Sequence, residues 1–229
     1  MTMNIKYFIT AKPSFFSLLF IIIALPGCST FSANQIPDQL VQLDIQFTRS
    51  PVKARTQLSE LKAEFNDDAR PWVTSGYWSL KEDDIPRANI AFRQAHRLDA
   101  KNIQALMGLG ICADKQQQHP QAQDFYQQGL VLDNDNTKLK NNLALSYIFS
   151  QQPSSAIKLL EPISKHAPTS ASTTPLSITE YQRLLSNLSL AYTMNKQFDQ
   201  AYEIDKELHG EYTAHKNKLA AEVIITGDQ

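Results

Sequence analysis

Apolar residues along the chain form one dense run near the N-terminus and a long periodic pattern after it. The run extends from Phe15 to Leu25 and is preceded by two lysines, Lys6 and Lys12. A short positive region, an apolar core of this length and a small residue at the cleavage point are typical of a secretory signal. The run is too short for a membrane span. Residues 1–27 are therefore predicted to be a signal peptide that is removed.

Beyond the signal peptide, small and bulky residues recur with a period of 34 residues. Alanines keep this interval at four positions, which are Ala54, Ala88, Ala122 and Ala156. A second small series and a bulky series keep the same interval: Gly76, Gly110 and Ala144, then Phe92, Tyr126 and Leu160. Periods of about 20–50 residues are typical of solenoids, in which each unit buries its apolar face against its neighbours. Small positions let two antiparallel helices approach, so the pattern predicts an all-α fold.

This pattern resembles the tetratricopeptide repeat (TPR), a helix–turn–helix unit of the same length. The resemblance depends on a bulky residue, a small residue, alanines and an aromatic residue at fixed spacing. In the first clear unit these are Trp72, Gly76, Ala88, Phe92 and Ala95, in the second Leu106, Leu109, Gly110, Ala122 and Tyr126, and in the third Leu143, Tyr147 and Ala156. The resemblance implies a TPR-type α-solenoid of about four to five helix–turn–helix units behind the signal peptide.

The period is interrupted once and then resumes. Leu143, Tyr147 and Ala156 recur at an interval of 45 as Leu188, Tyr192 and Ala201, which indicates an 11-residue insertion. The intervening stretch is rich in Pro, Ser and Thr and is predicted to be a surface loop. The predicted segments are a tether 28–36, a degenerate repeat or cap 37–68, TPR units 69–102, 103–136, 137–165 and 178–208, the loop 166–177, and a C-terminal capping helix with a tail 209–229.

The cleavage point carries a second resemblance. Cys28 follows directly after Leu25-Pro26-Gly27, and this stretch resembles the lipobox of bacterial lipoproteins. The resemblance implies cleavage between Gly27 and Cys28, with a diacylglycerol and an N-acyl chain on Cys28. Because Ser29 rather than an aspartate follows, it implies a lipid-anchored protein of the outer membrane that faces the periplasm. An ordinary secreted protein with a cysteine near its N-terminus is the alternative.

Composition and motifs argue against catalysis and nucleic-acid binding. Removing 27 of the 229 residues leaves 202, and the loss of two lysines changes the formal net charge from −1 to −3. Nucleic-acid binding needs a clustered basic excess instead. Residues 108–113 mimic the G-x-G-x-x-A fingerprint of dinucleotide-binding sites, but their glycines fall inside a repeat helix. Cys112 in this stretch is predicted to be a small buried apolar residue. With five dispersed histidines and no nucleophile elbow or phosphate-binding loop, we predict a non-enzyme without metal or cofactor other than the acyl chains.

TPR arrays usually bind protein partners in a groove lined by the first helix of each unit, which implies a peptide-binding groove here. The candidate residues at its groove positions are Arg70, Val73, Tyr77, Leu80, Met107, Ile111, Lys138, Asn141, Leu145, Ile148, Phe149, Leu190 and Met194. The same positions also hold Lys81, Gln104, Asp114, Lys115, Arg183, Ser186 and Thr193. Such a set suits an amphipathic helix or an extended peptide with apolar anchors. The other interpretation is that several of these side chains pack on neighbouring units.

Two stretches narrow the resemblance further. Residues 141–147 lead to 156–162, and residues 187–192 lead to 198–201, with the sequences NNLALSY, AIKLLEP, NLSLAY and FDQA. Together with the lipobox, they are similar to the TadD family, the TPR lipoproteins of the tight-adherence (Flp) pilus assembly system. This resemblance implies a scaffold that helps the outer-membrane secretin or its partners to assemble. A type IV pilotin, or an adaptor for β-barrel assembly or cell-wall enzymes, would have the same array and anchor. A periplasmic hydrolase or metal protein is the hypothesis from a different class.

Overall fold

The computed structural model describes residues 36–165, 176–211, 213–215, 217–218 and 221. The predicted signal peptide, Gly27, Cys28 and most of the predicted loop lie outside the described residues. The described part is helical without strands, as predicted. Its helices are α1 (Ile36–Arg49), α2 (Pro51–Glu64), α3 (Arg70–Lys81), α4 (Ile85–Leu98), α5 (Ile103–Lys115), α6 (His119–Leu132), α7 (Thr137–Phe149), α8 (Pro153–Ser164), α9 (Ile178–Met194) and α10 (Phe198–His209). The described residues after Gly210 are also helical.

Consecutive helices pair as hairpins, and each hairpin packs on the next one along the chain. Three residues connect the two helices of each of the last four hairpins, and the middle residue has a left-handed backbone. These middle residues are Asp83, Gln117, Gln151 and Lys196, with φ of 59°, 60°, 57° and 61°. Few non-glycine residues adopt such angles. Their spacing of 34, 34 and 45 residues repeats that of the apolar pattern, so the four hairpins share one turn geometry.

Polar side chains cap the N-termini of the first helices in the later units. Asn102 and Asn136 each accept a hydrogen bond from the backbone amide three residues further on, at 3.0 Å, at the starts of α5 and α7. Such N-caps contribute typically about 1 kcal/mol. Ser177 and Glu180 form a capping box at the start of α9. A shift of 45 residues from Thr137 would begin α9 at 182, so four of the inserted residues lengthen this helix.

Aromatic rings of the second helices lie directly against glycines of the first helices. A Cβ added at Gly76 or Gly108 would come within 3.0 Å of the Phe92 ring, and one at Gly110 within 3.0 Å of the Tyr126 ring. Cβ atoms in proteins essentially never approach other atoms that closely. Both rings are buried. Glycine therefore allows these helices to pack more closely than any residue with a side chain would.

The small residues of the period lie in the core. Ala54, Ala88, Ala122 and Ala156 have no exposed surface. Cys112 is also fully buried, in the apolar cluster around Phe92. Burial raises the pKa of its thiol to about 11, so the group stays protonated at neutral pH. The prediction that Cys112 serves as a small buried apolar residue is confirmed.

The degenerate leading unit is a helical hairpin, α1 and α2, which is joined at Ser50. It packs on the first TPR unit mainly through Trp78, a fully buried residue of α3. The Phe47 ring stacks on the Trp78 indole with centroids 4.3 Å apart. The indole Nε1 donates a hydrogen bond to Asp44 Oδ1 at 2.8 Å. One side chain thus supplies both an apolar and a polar contact between the two units.

Replacing Ala122 by Trp should destabilise the array, because Ala122 has no exposed surface where α6 packs on its neighbours. Overpacking of a core position costs typically about 1–3 kcal/mol. Urea denaturation followed by circular dichroism would show a lower midpoint. Gln121→Trp, at the exposed neighbouring position, is the matched control and should leave the midpoint unchanged. An equal midpoint for Ala122→Trp and the natural protein would contradict the repeat register.

Candidate peptide-binding face

The first helices of the units, α1, α3, α5, α7 and α9, contact one another in order. They form a surface that we call the first-helix face. A pocket of about 650 Å³ lies between α1 and α3, and we call it the N-terminal pocket. The Asp114 pocket, of about 710 Å³, lies between α5 and α7, and the central pocket, of about 300 Å³, among α5, α7 and α9. The C-terminal pocket, of about 390 Å³, lies between α9, α10 and the helical residues that follow.

Most of the residues predicted for the groove line these pockets. The N-terminal pocket contains Tyr77 and Leu80, and its lining includes Val73, although Val73 is only 4% exposed and packs mainly in the core. The central pocket contains Met107, Ile111, Lys138 and Asn141. The Asp114 pocket contains Ile111, Leu145 and Phe149. The C-terminal pocket contains Leu190 and Met194. The structure thus places these predicted positions in four pockets, each lined in part by a first helix.

Two of the predicted groove residues lie elsewhere. Ile148 is only 3% exposed and packs in the core formed by α7, α8 and α9, so it is not available to a ligand. Ile148 lies at the border between the first-helix face and the interior of the array. In the third unit, α9 packs over this residue. Arg70 lines none of the four pockets, and its guanidinium pairs with Asp68 at 2.5 Å. The hydrogen bond from Arg70 holds the pKa of Asp68 below its ordinary value.

Asp114 is the centre of a hydrogen-bonded group that joins three helices. Its Oδ1 accepts a hydrogen bond from the Ser146 hydroxyl of α7 at 2.7 Å and lies 2.9 Å from His119 Nδ1 at the start of α6. Its Oδ2 accepts a hydrogen bond from the Tyr126 hydroxyl of α6 at 3.0 Å. Burial, together with the negative charge of Asp114, raises the pKa of the Tyr126 phenol. The phenol therefore keeps its proton and remains a donor to Asp114.

The N-terminal pocket contains a carboxylate with a cationic partner. Asp44 Oδ1 accepts hydrogen bonds from Trp78 and from Lys81 Nζ, which lies 3.1 Å away. Partial burial acts to raise the pKa of Asp44, but these hydrogen bonds and the lysine charge lower it overall. Burial raises the pKa of Tyr77 in the same pocket to about 12, and its hydroxyl donates to the Gln104 carbonyl at 3.3 Å. The remaining walls are mainly apolar, so the pocket suits an apolar side chain.

The central pocket also contains a paired charge. Glu180 lies 3.0 Å from Lys138 Nζ and accepts hydrogen bonds from the Ser177 amide at 3.0 Å and hydroxyl at 2.9 Å. The Ser177 amide and then the Lys138 ammonium hold the pKa of Glu180 at about 2, well below its ordinary 4.5. This contact connects the start of α9 to α7 across the pocket. The same contact holds the side chain of Lys138, a predicted groove residue, in the wall of the pocket.

The polar groups of the face do not form a recognisable catalytic arrangement. The Ser146 hydroxyl is fully buried and donates to Asp114 rather than to the imidazole of His119, so it is neither accessible to a substrate nor part of a serine–histidine pair. Among the residues that the structure describes, no group of His, Cys, Asp and Glu side chains could hold a metal ion. Within the same ranges, no helix is both long enough and apolar enough to cross a bilayer.

The groove positions of the repeat include Asp114, but the sequence does not indicate its partners His119 and Ser146. Hydrogen bonds between side chains on different helices depend on packing geometry, and the period contains no signal for them. The contact between Asp44 and Trp78 was also missed, although the two residues stand 34 positions apart in the repeat register. A carboxylate one period before an indole was the available signal.

Comparison with known proteins identifies the fold. No family model and no curated protein sequence matches this chain. Solved structures do match it. A structure of PilF from Pseudomonas aeruginosa aligns with a TM-score of 0.61 at 12% identity, covering 86% of this chain and 94% of that one. The fold is a TPR-type α-solenoid.

Two further TPR proteins give similar values. One from Parabacteroides merdae has a TM-score of 0.60 at 15% identity and covers 84% of this chain and 74% of that one. YrrB, described as a TPR protein with an unusual peptide-binding site, has a TM-score of 0.57 at 16% identity and covers 74% and 84%. Identities this low establish the TPR fold alone. TPR folds generally bind protein partners, which makes the first-helix face the candidate site.

Glu180→Gln should weaken the dependence of stability on acidic pH. Because the pKa of Glu180 is lowered by folding, its contribution is fully present above about pH 4.5 and is lost as the pH falls towards about 2. Thermal melts across this range should show a smaller loss of Tm for the variant than for the natural protein. Glu203→Gln, at an exposed position of α10, should retain the natural pH dependence. Equal curves for all three proteins would contradict the contact.

Proposed function

We propose that this protein is a non-catalytic TPR scaffold that binds a partner segment along the first-helix face while acyl chains on Cys28 anchor it to the outer membrane. The observation that carries the binding part is the series of pockets along one face. Large apolar side chains are left exposed in them, namely Val41 (58%), Ile45 (48%), Phe149 (52%) and Leu190 (43%). Clustered exposed apolar residues with a polar rim are typical of protein interaction sites.

The spacing of these pockets favours a long ligand over a small molecule. The N-terminal pocket begins on α1, whereas the C-terminal pocket lies beyond α9, at the other end of the array. A single small ligand would occupy one pocket and leave the others open. An amphipathic helix or an extended peptide can place successive anchors in several of them. We therefore propose a segment of another protein as the occupant.

The proposed setting is assembly of a tight-adherence (Flp) pilus, with the outer-membrane secretin or one of its partners as the ligand. The stretches 141–147 and 187–192 and the lipobox around Cys28 support this setting through their resemblance to the TadD family. A type IV pilotin, or another periplasmic TPR lipoprotein adaptor, is the second candidate because it would need the same anchor and face. The identity of the bound partner distinguishes the two.

Cys28→Ala should leave the protein in the soluble fraction or as an uncleaved precursor retained at the inner membrane. Acylation contributes about 0.8 kcal/mol for each buried CH₂ group, so several acyl chains give a firm anchor. The measurement is separation of inner and outer membranes followed by immunoblotting. Cys112→Ala is the matched control, since it removes the buried thiol and should not change the location. Outer-membrane recovery of Cys28→Ala would refute the lipid anchor.

A photo-crosslinking amino acid at position 149 should capture the partner in cells. Phe149 is half exposed in the Asp114 pocket, so a probe there faces a bound segment. The same probe in place of Val131, which is 86% exposed on the second helix α6, is the control and should capture nothing. Recovery of a secretin or pilus-assembly component supports the proposed setting, and another envelope protein supports the adaptor alternative. Equal labelling at both positions, or none at 149, would exclude the face as the binding site.

A further inference from the structure

Asp114 differs from Asp44 and Glu180, two other carboxylates of the first-helix face, because no lysine or arginine of the described residues forms an ion pair with it. Asp44 pairs with Lys81, and Glu180 pairs with Lys138. Among the described residues, only His119 lies within ion-pair distance of Asp114, and an imidazole is charged only when it is protonated. The Asp114 side chain is nevertheless 12% exposed, the least of these three acids. Buried carboxylates are normally paired with a cation or a metal.

The carboxylate also has room for a further donor. A carboxylate can accept about four hydrogen bonds, two on each oxygen. Within the described ranges, Oδ1 has the Ser146 hydroxyl and His119 Nδ1 as hydrogen-bond partners, whereas Oδ2 has only the Tyr126 hydroxyl. Both Asp114 and Tyr126 line the pocket. A donor that enters the pocket therefore finds a free acceptor position on Oδ2.

We propose that the Asp114 pocket receives a lysine or arginine side chain of the bound partner, which pairs with a carboxylate that no lysine or arginine of the described residues pairs with. This inference rests on the proposed function, because it specifies the chemistry of one anchor of the partner segment.

The pocket walls fit the two parts of such a side chain. Ile111 and Leu145 can pack along an aliphatic stem, as apolar surfaces do for long basic side chains. Phe149 is 52% exposed and lies against His119, with ring centroids 5.7 Å apart. An exposed aromatic face attracts a cation within about 6 Å. The walls therefore add to the attraction that Asp114 exerts on the head group.

The lysine that lines this pocket is already paired with another carboxylate. Lys115 lines the same pocket, but its ammonium pairs with Asp83 at 2.7 Å. An apolar or acidic anchor fits less well, since it would cover the Asp114 carboxylate without supplying a charge or would add a like charge. The N-terminal pocket shows the opposite situation, because Lys81 already pairs with its Asp44.

The test is selection of peptides from a synthetic random library by the full-length lipoprotein in detergent. We expect lysine and arginine to be enriched about tenfold at one position, which corresponds to about 1.4 kcal/mol. Asp114→Asn should abolish this enrichment, because it keeps an acceptor oxygen for Ser146 and removes the charge. Asp124→Asn, at an exposed position of α6, is the matched control and should retain it.

A second variant covers the case in which Asp114→Asn does not fold, as judged by its thermal melt. Phe149→Ala removes a half-exposed ring and should lower the enrichment several-fold. Selected peptides without a preferred basic position would overturn the inference and leave the proposed function standing. Enrichment that persists in Asp114→Asn would also overturn the inference and leave the proposed function standing. If Asp114→Asn is unfolded, enrichment that persists in Phe149→Ala would have the same meaning. Selection of no peptides at all would overturn both.

Discussion

The contact between aromatic rings of the second helices and glycines of the first helices sets the spacing of the array. The Phe92 ring lies between Gly76 of its own unit and Gly108 of the next, at distances that leave no space for a Cβ. Tyr126 makes the same contact with Gly110. Because each ring fixes how closely two helices approach, it also fixes where the first helices lie relative to one another. The pockets between those helices depend on this spacing.

Tyr126 connects the packing to the candidate site directly. Its ring lies against Gly110 in the core, while its hydroxyl donates to Asp114 at the edge of the Asp114 pocket. A change that moved the ring would therefore also move a donor from the carboxylate. In most folds a binding residue can vary while the core stays constant. Here one side chain belongs to both, so the position of Asp114 is coupled to the closeness of α5 and α6.

The repeat made the backbone predictable, whereas the polar contacts between units were not. Ala88, Ala122 and their equivalents indicated helix pairs because small residues at fixed spacing have one main use in an array, and all are buried. The resumed period also located the insertion before α9. The burial of Ile148 was not predictable, because its exposure depends on how α9 packs over the third unit. The group around Asp114 depends on side chains that meet from three helices, which a linear pattern does not encode.

One position of the repeat shows how units with a common backbone acquire different chemistry. Trp78, Cys112 and Ser146 stand 34 residues apart and are all fully buried. Trp78 donates to Asp44 and Ser146 donates to Asp114, each a carboxylate of the preceding unit, whereas Cys112 packs in an apolar cluster. The junctions at Trp78 and Ser146 are therefore each bridged by a hydrogen bond to a carboxylate. The junction between them, at Cys112, is apolar at this position. At the first bridged junction Lys81 pairs with the carboxylate, but at the second no lysine or arginine from the described part of the chain does so. That difference is the reason why the proposed basic anchor of the partner is assigned to the Asp114 pocket rather than to the N-terminal pocket.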